Sequence, residues 1–138
     1  MAITGGTASF VANSKTASAA DFGRRMGVQA SRTWELGDPT RQPNRERDHA
    51  AWVLDRGLGV EDQSLDTGLL QLLAVFDGHE ADLLALSAHY DMYVQCHASS
   101  DSAQGGFVLG ATVMRLMGQL GLDLHCTIFL EDDTTEQS

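Results

Sequence analysis

The sequence predicts an α+β domain: a mainly antiparallel sheet of four or five strands with helices packed on one face, in a ferredoxin-like arrangement. Three observations carry this. Over 90–99 and 122–131, apolar and polar side chains alternate, which is the period of a strand with one buried face. Over 65–76 and 113–120, large apolar residues recur at spacings of three and four, the period of a helix with one buried stripe. Glycines then punctuate the helical segments at Gly27, Gly78 and Gly121, where a left-handed cap or a turn is wanted.

Taken in order, Met1 to Gly6 is small and polar and reads as loose chain. Thr7 to Asn13 is a first strand with Phe10 as its best core residue, and Asn13-Ser14 is a turn. A short helix follows through Ala17, Ala20, Phe22 and Met26, capped by Thr16 or Ser18 and ended by Gly27. Arg24 and Arg25 sit near its C-terminus, where the backbone dipole favours cations.

Ser31 to Arg47 reads as a long irregular stretch. It holds both prolines and four of the nine basic residues, with Trp34 and the turn Gly37-Asp38-Pro39. Connections longer than about 12–15 residues are uncommon in compact domains unless they carry function or lack structure. Arg32, Arg41, Arg45 and Arg47 are therefore candidates for meeting an anion or a carboxylate, against the plainer reading of a surface loop anchored by Trp34.

His49 to Arg56 is the next strand, with Trp52 and Leu54 on one face. Val60 to Gln63 is a polar connection and Ser64 the cap of a helix striped by Leu65, Leu69, Leu72, Leu73 and Phe76. After Asp77-Gly78, a shorter helix runs from His79 to Ala88. From Tyr90 to Ser99, Met92, Val94, Cys96 and Ala98 fall on one side and Tyr93, Gln95 and His97 on the other. Ser99 to Gln104 is a polar loop or hairpin turn leading to Gly105-Gly106. The helix with Val113, Leu116, Met117 and Leu120 on one face precedes the last strand. There Leu122, Leu124, Cys126, Ile128 and Leu130 alternate with Asp123, His125, Thr127, Phe129 and Glu131. That strand is expected inside the sheet, its apolar face covered by the helix. Residues 1–131 then form one domain and 132–138 a disordered acidic tail.

The charge narrows the function classes. A formal net charge of −10, with no basic stripe, argues against nucleic acid as a partner and suits a basic protein partner. No apolar run reaches the roughly 18–20 residues of a membrane span and no secretory signal opens the chain, which points to a cytoplasmic protein with no membrane partner. Cys96 and Cys126 both lie in apolar runs and read as reduced, buried thiols that the pleat brings together.

Several residues also carry a resemblance. They are Gly27-Val28, Thr33-Trp34, Gly37-Asp38-Pro39, the strand Ala51-Trp52-Val53-Leu54, and above all Gly105-Gly106-Phe107-Val108-Leu109 with the helix Leu116 to Leu120 and Leu122-Asp123-Leu124. In these, over about Ala8 to Glu131, the chain resembles a bacterial family, the domain of unknown function numbered 4279. The resemblance implies a compact α+β domain and implies no reaction.

No catalytic signature is legible. Ser87, His89 and Asp91 are close in sequence, but a triad requires a base within hydrogen-bond reach of its nucleophile, which proximity along the chain does not supply. His97 and His125 fall on the face opposite the two cysteines, so that alternation leaves two imidazoles without the three or four ligands a zinc site wants. Neither a metal nor a cofactor is expected. The reading favoured by the sequence is a non-enzymatic protein-interaction domain. One concrete form is an immunity-type or inhibitor protein that blocks a basic bacterial or phage-encountered effector. Its partner-binding residues are Trp34, Arg32, Arg41, Arg45 and Arg47 on the loop and Tyr93, Gln95, His97 and His125 on the uncovered sheet face. The competing readings are a small-ligand sensor or enzyme with a pocket between sheet and helices, and a homodimer built on the same sheet face.

Overall fold

A computed structural model describes residues 3–58, 65–100 and 109–130. In chain order the elements are β1 (Ile3–Ser14), α1 (Ala19–Met26), β2 (Arg32–Trp34), β3 (Ala50–Leu58), α2 (Leu65–Ala74), α3 (Glu80–Leu86), β4 (Asp91–Ser100), α4 (Ala111–Leu120) and β5 (Asp123–Leu130). The strands form one sheet in the order β2-β3-β1-β4-β5. β1 runs antiparallel to both β3 and β4, β2 is antiparallel to β3, and β5 is parallel to β4. A mainly antiparallel sheet with helices is thus what forms; this order and the parallel last pair do not establish the ferredoxin-like arrangement.

The central strand is β1. Its inward residues Ala8, Phe10 and Ala12 are fully buried, and Phe10 lies 4.3 Å from the Phe76 ring and 5.9 Å from the rings of Phe22 and Trp52. All four described helices feed this same cluster, through Phe22 and Met26 of α1, Leu69 and Leu72 of α2, Leu83 of α3, and Val113 and Met117 of α4. They therefore cover one side of the sheet. The stripes read from sequence are the stripes that are buried, except that Leu116 is only half-buried.

Capping follows side-chain chemistry. Ser18, not Thr16, caps α1 by accepting from the Asp21 amide, and Gly27 closes the helix in the left-handed region at φ 68°. Gly121 does the same for α4 at φ 70°. The Ser14 hydroxyl accepts from the amides of Thr16 and Ala17 and makes the turn after β1.

Three expectations are corrected. Ile3 to Gly6 is strand, because β3 and β4 both reach far enough to pair with it. Its weak side-chain pattern hid this, since a glycine pair offers nothing to bury. Ser31 to Arg47 is ordered by its own backbone bonds: it opens with β2 and continues as a hairpin bridged at Pro39 and Glu46, with Arg47 N–H donating to Asp38 C=O at 2.7 Å and Thr40 N–H to Arg45 C=O at 3.0 Å. Finally, β5 lies at the sheet edge, not inside it. Alternation reports one buried face, which edge and interior strands share. At the edge the cover is incomplete: Leu124 and Ile128 are half-buried and Cys126 is exposed.

The connection from Val60 to Gln63, the Ser64 cap, residues 101–104 of the polar turn, the Gly105-Gly106 pair and the 132–138 tail lie outside the described residues.

Candidate binding face

The side of the sheet away from the helices is built by residues that alternate with the core. Their order across the strands is fixed by register. Asp55 of β3 faces Ser9 of β1, Ser9 faces Gln95 of β4, and Gln95 faces His125 of β5. One row further along, Thr7 faces His97, which faces Thr127. Arg32 and Trp34 belong to the same side, opposite Val53 and Ala51 of β3.

Two ring pairs stand on the β4–β5 half. Tyr93 and His125 stack at 4.6 Å with planes 17° apart, and His97 and Phe129 at 5.9 Å with planes 20° apart. Phe129 remains 52% exposed, so one of its faces is left to solvent. Stacked rings lose little side-chain entropy when a further surface closes on them, which is why aromatic groups serve well at interfaces.

The middle of the face is a satisfied polar cluster. Arg32 Nε donates to Asp55 Oδ2 at 2.9 Å, Arg32 Nη2 to Oδ1 at 3.2 Å, and the Ser9 hydroxyl to Oδ1 at 2.5 Å. Burial alone raises the carboxyl pKa, but the bonds from Arg32 and Ser9 outweigh it and hold Asp55 below the ordinary carboxylate value.

At the β2 end the hairpin folds back onto Trp34. The Arg47 guanidinium lies 4.2 Å from the indole ring and His49 meets the ring edge-on at 6.0 Å. The indole Nε1 and Arg47 Nε are both shut from solvent and have no acceptor among the described residues. Arg45 Nη1 donates to Gln42 Oε1 at 3.0 Å, while Arg41 is exposed and has no acceptor among the described residues.

The two surfaces proposed from sequence are therefore one side of one sheet for Arg32, Trp34, Arg47, Tyr93, Gln95, His97 and His125; Arg41 and Arg45 extend from it on the hairpin. The four interstrand steps from β2 to β5 separate Arg32 from His125 by roughly 19 Å, at about 4.8 Å per step. No small ligand touches both. Nor do His97 and His125 line a pocket between sheet and helices, because they lie on the opposite side.

The cysteines are register partners across β4 and β5, and both thiols are free. Burial, with Cys126 beside it, pushes the Cys96 thiol up to about 12. Cys126 departs from the expected buried state because the edge strand is only partly covered. Among the described residues no three His, Cys, Asp or Glu side chains are grouped closely enough to hold a metal ion. The Ser87 hydroxyl donates to Leu84 C=O at 2.6 Å, so it is engaged by its own helix and has no hydrogen bond to His89.

Sequence reasoning missed a cleft of about 690 Å³ beside this face, lined by Asn13, Lys15, Asp48, His49, His89 and Asp91 among others. Three separate segments build it, and no local pattern announces such a convergence. Among the described residues no helix is long and apolar enough to cross a membrane.

Comparison with known proteins finds no curated protein and no solved structure that matches. A family model does match, over residues 3–130, and it spans nearly the whole chain. The chain belongs to the family described as domain of unknown function (DUF4279).

Proposed function

We propose that this chain is a non-enzymatic protein-binding domain that receives a basic protein on the helix-free side of its sheet. An immunity-type or inhibitor protein is the concrete form. The observation that supports it most is the pair of stacked rings, Tyr93–His125 and His97–Phe129, standing uncovered beside an edge strand while every described helix packs on the other side. The occupant is argued from net charge: a chain at −10 attracts a cationic protein over a Debye length of about 8–10 Å. The width of the candidate set also favours a macromolecule, since its ends are too far apart for one small molecule.

The test is a comparative pull-down from the host at moderate salt. Wild-type chain should retain a basic protein in one-to-one ratio, Phe129→Ser and Tyr93→Ala should lose it, and Leu84→Ser on the far side of the molecule should keep it. Raising the salt should slow association. A partner retained equally by all variants, or a chain that sediments as a homodimer dissociated by Phe129→Ser, overturns the reading.

A further inference from the structure

The chain has 19 acidic and nine Lys or Arg residues, so every cation has carboxylates to choose from. Arg24, Arg25 and Arg32 take them, from Asp21, Asp82 and Asp55. Among the described residues Lys15, Arg41, Arg45, Arg47, Arg56 and Arg115 form no ion pair; the first four line two adjoining clefts, where Lys15 feels the charge of Asp48 without bonding it. The smaller, about 370 Å³, lies along the hairpin between Arg41, Arg45 and Arg47. It meets the larger one at Asp48 and His49, which border both. Of the carboxylates on these walls, Asp48 is already bonded to His49 Nδ1 at 2.6 Å, leaving Glu46 and Asp91.

Arg47 is the informative residue. Its guanidinium is held against Trp34, its Nε is shut from water, and no acceptor among the described residues replaces the water lost. An unsatisfied donor on a charged group is costly, and an oxyanion placed on the guanidinium restores what burial removed. Backbone bonds on either side of Arg47 fix the hairpin, so the group is positioned before any ligand arrives. The neighbouring cleft holds a second unsatisfied atom, Asn13 Oδ1, an acceptor that suits a donor further along the same ligand. Both volumes fall in the range of small-molecule sites.

We propose that this groove is a binding site for a small organic anion, whose carboxylate or phosphate sits on Arg47 between Arg41 and Arg45 and whose polar remainder extends past His49 toward Asn13 and Lys15. It occupies the hairpin end of the candidate face, away from the ring pairs, and is tested separately from the protein partner because Phe129→Ser alters only the ring-paired end.

The probes are citrate, inorganic phosphate and adenosine diphosphate, each titrated calorimetrically into the purified chain. At least one should bind saturably at one site, and citrate against the two phosphates decides which oxyanion is preferred. Arg47→Lys keeps the charge but removes the planar fork and should weaken that probe about tenfold or more. Arg41→Ala, on an exposed side chain that leaves the fold intact, should also weaken it. Arg56→Ala, a cation that lines neither cleft, and Phe129→Ser should leave it unchanged. The proposal is overturned if no probe saturates, or if Arg56→Ala weakens binding as much as Arg41→Ala does, which is the mark of diffuse charge attraction.

Discussion

Ser9 and Asp55 face each other across the β1–β3 ladder on the helix-free side of the sheet, and the serine hydroxyl donates to Asp55 Oδ1 at 2.5 Å. Ser9 is only 6% exposed, so a polar group buried in mid-sheet is satisfied by a carboxylate that Arg32 neutralises from the edge strand. The cluster fastens the short β2 to the sheet and so positions the chain that carries Trp34 and the hairpin.

This cluster makes stability depend on acid. The folded-state pKa of Asp55 lies below its ordinary value of 3.8, so the stabilisation is fully present above that value and is lost as pH falls through the folded pKa. Asp55→Asn should lower Tm at pH 7, and the gap from wild type should close below about pH 4. Ser9→Ala should cost about 1.5–3 kcal/mol at neutral pH by urea unfolding, as for other hydrogen bonds to a charged group. Melting curves that stay parallel down to pH 2 would remove Asp55 from the account.

Glu35 ties the start of the hairpin to the helical layer, accepting from the amides of Ala19 at 2.8 Å and Ala20 at 3.1 Å, the first two of α1. Glu35→Ala should therefore cost about 1 kcal/mol, the value of a helix cap, with the denaturant m-value unchanged. No change in midpoint would show that Ser18 alone suffices.

Cys96 and Cys126 should separate on reaction with a thiol reagent. In native protein at pH 8 iodoacetamide should modify Cys126 at the rate of an exposed thiol, while Cys96, buried and with its pKa pushed up to about 12, should react only after unfolding. Peptide mapping after timed quenching distinguishes the two sites, and equal rates would contradict the burial of Cys96.

Gly5 and Gly6 offer a paired comparison. A Cβ on Gly6, at φ 138°, collides with the His97 carbonyl of β4, whereas one on Gly5 meets nothing within 4 Å. Gly6→Ala should destabilise by about 2 kcal/mol or more, and Gly5→Ala should stay within about 1 kcal/mol of wild type. Similar losses for both would mean that the close approach of β1 and β4 relaxes freely.

Where a residue's environment depends on its near neighbours in the chain, the sequence was a sufficient guide. The alternation at Met92, Val94, Cys96 and Ala98 and the stripe at Val113, Met117 and Leu120 determined which side of each element is buried, because pleat and helical period are local geometry. The C-caps Gly27 and Gly121 were legible for the same reason, while the N-cap of the first helix was narrowed only to Thr16 or Ser18. That His97 and His125 lie away from both sulfurs also followed from period two alone.

Whatever depends on which strands become neighbours was decided only in three dimensions. Nothing within the chain distinguishes an edge strand from an interior one, so the edge position of β5 and the exposure of Cys126 were not readable. Nor was the order in the 31–47 segment, which comes from backbone bonds and from stacking on Trp34, neither of which has a side-chain period. The joining of hairpin and sheet face into one surface, and the groove where unpaired cations gather, required Asn13, Lys15, Arg47 and His89 to converge from distant segments. Local periodicity assigns a residue to a face; only the pairing of strands assigns that face its neighbours, and the candidate sites of this protein are made of neighbours.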